Sequence, residues 1–138
     1  MGVKSCWGNT IKVILLCILP FTMISMDAHQ VRKWDLDSLY YIAFDQIGNN
    51  LQEGKIEVDK YYRASVLLND SSNLAYALDL KGLDAYMRDK IDSAKMFADQ
   101  SIRLFRILND SVGLSTAIYN LSNYHEYLGE YTTALRYL

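Results

Sequence analysis

Histidine, neighbouring carboxylates and tyrosine are the side chains here with chemistry to offer, and their spacing decides what they can do. The two histidines, His29 and His125, are remote from each other, and no cysteine lies near either. Zinc needs three or four convergent ligands, so no metal site is expected, and His125 reads as a satisfied residue of helix packing. Asp79 with Asp84, and Glu126 with Glu130, could divide acid and base roles between them. Charges at such spacing on a helix are usually its wetted side. A glycine-rich phosphate cradle, a serine elbow and a histidine-bearing metal motif are all missing from the sequence. The expectation is no catalytic residue, no metal and no cofactor, and therefore a protein that binds and does not transform.

The elements that must position these groups are legible from a repeat. Leu68-Asn69-Asp70-Ser71 returns as Leu108-Asn109-Asp110-Ser111 forty positions later, and an apolar stretch with helical periodicity follows each copy. A period of this size marks stacked helical hairpins that bury their apolar faces against one another. Asp70 caps a helix over 71–87 in which Ala75, Leu78, Gly82 and Ala85 share a face. Arg88 to Lys90 form a turn, and 91–108 carries Ile91, Ala94, Ala98, Ile102 and Phe105 on one stripe. Phe97, Leu104 and Ile107 make a second apolar row, as in a helix held between two neighbours. A third hairpin starts at Asp110, turns at Gly129-Glu130 and restarts at Tyr131. Its second helix reaches only about two turns by Leu138, so the sequence is expected to be part of a longer protein. In the first hairpin, 36–51 reads as one helix capped by Asp35, 52–55 as the turn marked by Gly54, and 56–68 as the second helix.

Composition agrees with an all-α class. Just over half of the 138 residues are apolar and the single proline is Pro20, against a strand-rich architecture with frequent turns. The formal charge is −2 with both signs mixed along the chain, so no positive field exists for a phosphate backbone and nucleic acid is not an expected partner. Residues 1–28 differ from the rest. Lys4 and Lys12 precede an apolar run from Val13 to Ile24, and the first acidic residue is Asp27. This order predicts an export signal, and the run is short of the ~20 apolar residues of a permanent anchor. Leu16 before Cys17 argues against lipid attachment there. Removal of the signal would take Cys6 and Cys17 with it and leave stability to packing alone. A polar lead-in, 29–35, then joins the helical region of 36–69, 70–109 and 110–138.

Ile118-Tyr119-Asn120-Leu121-Ser122-Asn123-Tyr124-His125, followed by Leu128-Gly129-Glu130-Tyr131-Thr132-Thr133-Ala134, closely resembles the tetratricopeptide repeat. Ile118 falls on the family's large residue, Leu121 and Ser122 on its leucine and small residue, and Ala134 on its inter-helix alanine; His125 stands where an aromatic is usual. One hairpin earlier Leu78, Gly82 and Ala94 take the matching places, Ala98 takes the later large position, and Lys81 departs from the expected leucine. In the first hairpin Lys55-Ile56 precedes Lys90-Ile91 by thirty-five positions, which puts the alanine place on Asp59 or, with a slip of one, Val58. The resemblance covers 36–138. It implies an all-α, right-handed superhelix of antiparallel hairpins, an α-solenoid of about two and a half to three repeats, with tight helix crossings where Gly82 faces Ala94 and Ser122 faces Ala134.

The resemblance also implies that the first helix of each hairpin lines a concave, partner-binding face. The matching positions are Tyr76, Asp79, Leu83, Tyr86 and Met87, then Thr116, Tyr119, Asn123, Glu126 and Tyr127, with Asn120 at the border. Of the eleven tyrosines, Tyr124 and Tyr131 are expected to fill space between helices instead. Aromatic faces, amides and few cations suit a peptide held by stacking and by hydrogen bonds to its backbone. The family's clamp for a terminal carboxylate needs lysines or arginines on this face, and they are absent, so chaperone tails are not expected ligands. The forty-residue period is similar to that of repeats in bacterial signalling and regulatory proteins. The expected function is a non-catalytic protein–protein scaffold, exported to the periplasm or tethered to a bacterial membrane, as the sensing or docking part of a larger signalling protein. The competing expectation is a structural envelope or secreted assembly protein. Membrane contact is expected only through the N-terminal segment or a downstream helix.

Overall fold

The computed structural model describes residues 36–137, which hold six helices and no strand. They are α1 Leu36–Asn49, α2 Leu51–Leu67, α3 Ser71–Met87, α4 Ile91–Leu108, α5 Ser111–Tyr127 and α6 Tyr131–Leu135. The predicted signal, the lead-in and the Asp35 cap lie outside the described residues. Among those described, no helix is long and apolar enough to cross a membrane.

The forty-residue echo is a pair of turns doing the same two tasks. Asn69 (φ 53°) and Asn109 (φ 56°) take the left-handed conformation that ends a helix, which asparagine tolerates better than most residues. The aspartate that follows then caps the next helix: Asp70 accepts from the Asn73 amide at 3.0 Å and Asp110 from the Gly113 amide at 2.9 Å. Within the hairpins Asp89 (φ 59°) and Gly129 (φ 74°) play the left-handed part. In all four turns the next amide reaches back five residues, from Asp70 to Ser65, Lys90 to Ala85, Asp110 to Phe105 and Glu130 to His125, at 2.9–3.0 Å. Lys90 and Glu130 supply no side-chain cap to α4 and α6.

The first hairpin differs from expectation in its turn. Gly54 is not the turn residue: it lies buried inside α2, and the break between α1 and α2 is Asn50 alone, whose side chain accepts from Gln52 and Glu53 amides. Glycine serves close approach here. A Cβ on Gly54 would stand 2.9 Å from the backbone N and Cα of Ile47, so only glycine lets the two helices cross this near. Gly54, Ala94 and Ala134 are each the fourth residue of their helix and each buried. The thirty-five-position alignment is thereby corrected to forty, and the alanine place falls on Gly54, not on Asp59 or Val58.

Each helix packs on its neighbours in the chain; α3 also lies against α1 and against α5, whereas no such approach joins α2 to α4. The stripe Ile91, Ala94, Ala98, Ile102, Phe105 is buried with Ala75, Ala85, Ala117, Leu121 and Tyr124. The second row of α4 is covered unevenly. Phe97 and Leu104 are half-buried and Ile107 is 75% exposed, because α2 leaves that side of α4 open. Lys81, at the place of the expected leucine, is mostly buried: its ammonium meets Asp59 at 2.6 Å and lies 4.8 and 5.5 Å from the Tyr62 and Phe97 rings. A charged residue thus fills an apolar place, with its charge paired and its stem packed.

Candidate protein-binding groove

In the row formed by α1, α3 and α5, the middle helix α3 carries small residues towards α4. Gly82 has room for a Cβ only at 3.3 Å from the Ala94 carbonyl, so α3 and α4 meet closely. Ser122 and Ala134 are likewise buried, at 2% and 6% exposure, and the Ser122 hydroxyl is spent on the Tyr119 carbonyl of its own helix.

Of the eleven positions expected on the concave face, six converge. Leu83 and Tyr86 of α3 and Asn120, Asn123, Glu126 and Tyr127 of α5 line one groove of about 470 Å³, together with Tyr124 and Tyr131. Its ring geometry is ordered by packing. Tyr86 stacks on Tyr124 with centroids 5.0 Å apart and meets Tyr127 edge-on at 5.6 Å. The Tyr127 hydroxyl donates to Asp89 at 2.8 Å, which raises the phenol above its ordinary pKa by favouring the form that keeps its proton. Tyr131 does not fill space between helices as expected. It is 64% exposed and forms part of the groove wall, since α6 begins after the Gly129 turn with Tyr131 as its first residue. Tyr124 is buried as expected, yet its hydroxyl is without a hydrogen-bond partner among the described residues.

The other five positions are placed differently. Tyr76 is committed to the interior: its ring meets Phe105 at 4.8 Å and Tyr40 at 5.8 Å, and its hydroxyl donates to Asp110 at 2.8 Å. Burial first, and then that carboxylate, push its pKa up to about 12. Asp79 is 7% exposed, and the Asn120 amide donates to both its oxygens at 3.1 Å. Burial pushes this carboxyl up to about 6, against the lowering effect of Asn120. Met87, Thr116 and Tyr119 are exposed but do not line the groove. A residue pair forty-one positions apart, such as Asp79 and Asn120, carries no local signal in a sequence; only the repeat period could have placed them on adjoining helices.

The carboxylates weighed for acid–base work have different surroundings. Asp84 binds the Arg88 guanidinium at 3.0 Å, while Glu130 takes His125 Nδ1 and lies 3.8 Å from Lys95. The His125 ring also stacks on Tyr137. Among the described residues no three His, Cys, Asp or Glu side chains are grouped to hold a metal. A second cavity of about 230 Å³, between α2, α3 and α4, is lined by Lys55, Lys81, Arg88 and Lys90 with Asp59 and Asp84.

No family model matches the chain, and neither a curated protein nor a solved structure matches it.

Proposed function

We propose that this chain is a non-catalytic protein–protein interaction scaffold, a right-handed superhelix of tetratricopeptide-like hairpins whose α3–α5 groove captures a segment of a partner protein. The observation that carries the reading is the convergence of Leu83, Tyr86, Asn120, Asn123, Glu126 and Tyr127 on one groove. Rings flank it, and the Asn123 amide is free among the described residues to bond a peptide backbone. Because Tyr86, Tyr124 and Tyr127 are set against one another before any partner arrives, little ordering entropy is lost on capture. The direct approach of α3 to α1 and α5, with no counterpart between α2 and α4, supports a stack that curves towards its odd-numbered helices. The export signal read in 1–28 and the long repeat period support a place outside the cytoplasm, in the docking part of a larger bacterial signalling protein.

Selection of a random peptide library on the full chain tests this reading. Selected peptides should compete with one another and lose about tenfold in affinity on Asn123→Ala, which is one or two lost hydrogen bonds, with the helical circular dichroism unchanged. Peptides that bind Asn123→Ala and Tyr86→Ala as tightly as the parent place the interface elsewhere.

A further inference from the structure

Among the described residues the groove is aromatic and acidic, and no cation lines it. Of its eight described lining residues four are tyrosines, two are asparagines, one is leucine, and Glu126 is the single charged group among them. Two more carboxylates are hydrogen-bonded to lining residues. Asp89 accepts from the Tyr127 hydroxyl at 2.8 Å, and Asp79 holds the Asn120 amide through both oxygens at 3.1 Å. A phenol that donates to a carboxylate has a more electron-rich ring, and the negative face of such a ring attracts cations. The Asn120 nitrogen is turned to Asp79, which leaves its amide oxygen as the group able to face a donor. Glu126 is exposed at the rim and has no ion-pair partner among the described residues. Rings, carboxylate and amide oxygens are all acceptors for the same kind of ligand.

We propose that this groove recognises a basic side chain of the partner segment, and an arginine in particular. The inference rests on the peptide-capture reading above and names what is captured. Arginine suits the groove better than lysine, because its flat guanidinium can lie on a tyrosine ring while its fork of N–H groups reaches the Glu126 carboxylate. A volume of about 470 Å³ takes such a side chain with some of its flanking backbone. An acidic or phosphorylated segment would meet Glu126 with like charge and find no cation among the described lining residues to answer it. A purely apolar segment would cover Glu126 and the asparagine amides without pairing them, at a desolvation cost.

The test is a two-dimensional NMR titration of the full chain with three capped tripeptides, acetyl-Gly-Xaa-Gly-amide, in which Xaa is arginine, its uncharged isostere citrulline, or glutamate. The arginine peptide should shift the side-chain amide signals of Asn120 and Asn123 and bind about fivefold more tightly than the citrulline peptide. Glu126→Gln and Tyr127→Leu, both at exposed positions, should each remove most of that preference, and raised salt should shrink it. Equal affinity for arginine and citrulline peptides, or tighter binding of the glutamate peptide, overturns the inference while leaving peptide capture intact. If library-selected peptides leave these two amides unshifted as well, capture at this groove falls too.

Discussion

Asp79 is the residue whose chemistry departs furthest from an ordinary surface carboxylate. Burial raises its pKa from 3.8 to about 6, so the fold favours its neutral form. Below the unfolded value the group is neutral in both states and carries no penalty; the penalty grows as pH rises from 3.8 to about 6 and is complete above that. Its full size is of the order of 3 kcal/mol. Asp79→Asn keeps an acceptor for Asn120 and removes the charge. The stability of Asp79→Asn relative to the parent should therefore improve by about 2–3 kcal/mol between about pH 4 and pH 7. Paired urea titrations at the two pH values read this difference, and a difference independent of pH would show that Asp79 is not held in a desolvated site. Asp70 and Asp110 run in the opposite sense. Backbone amides at their helix ends lower both pKa values, so the stability they contribute is present above the ordinary aspartate value and is lost as pH falls through the lowered one. The comparison with Asp79→Asn cancels those contributions.

At the scale of the element, two small residues decide where helices begin and how near they lie. Asp110 caps α5 and also receives the Tyr76 hydroxyl from α3. Asp110→Ala should cost about 1–2 kcal/mol, the loss of a helix cap, read as a lower urea midpoint with an unchanged slope; a loss of a few tenths would mean the cap is dispensable. Gly54→Ala sets two effects against each other. Alanine gains up to about 1 kcal/mol in a helix, but its Cβ would collide with the Ile47 backbone at 2.9 Å. Overpacking costs about 1–3 kcal/mol, so Gly54→Ala should destabilise while Gly48→Ala, with no described residue within 4 Å of its Cβ, should be neutral or stabilising. The same sign for both would deny the close crossing. The limits of α3, α4 and α5 were legible because Asn69-Asp70 and Asn109-Asp110 announce a left-handed end followed by a cap. The α1–α2 break was not, since a glycine in helix packing and a glycine in a turn look alike in one dimension. The six groove positions came from the tetratricopeptide resemblance, which implies which residues share a face. The inward course of Tyr76 and Asp79 depends on partners thirty-four and forty-one positions away, and the register says nothing of what a face meets.

At the scale of the whole molecule, the described helices form a stack in which every contact joins elements adjacent or next-but-one in the chain. Such a stack holds its surfaces with few long-range contacts, so rigidity at the groove comes from α3, which packs on four other helices. A partner seated between α3 and α5 should therefore slow local opening there without changing α2 or the far side of α4. Hydrogen exchange read by mass spectrometry, on the full chain with and without a selected peptide, shows where the partner sits. Slowed exchange confined to 83–87 and 119–131 is the predicted result; slowing centred on α2 and α4, with those two segments unchanged, would contradict a binding groove between α3 and α5.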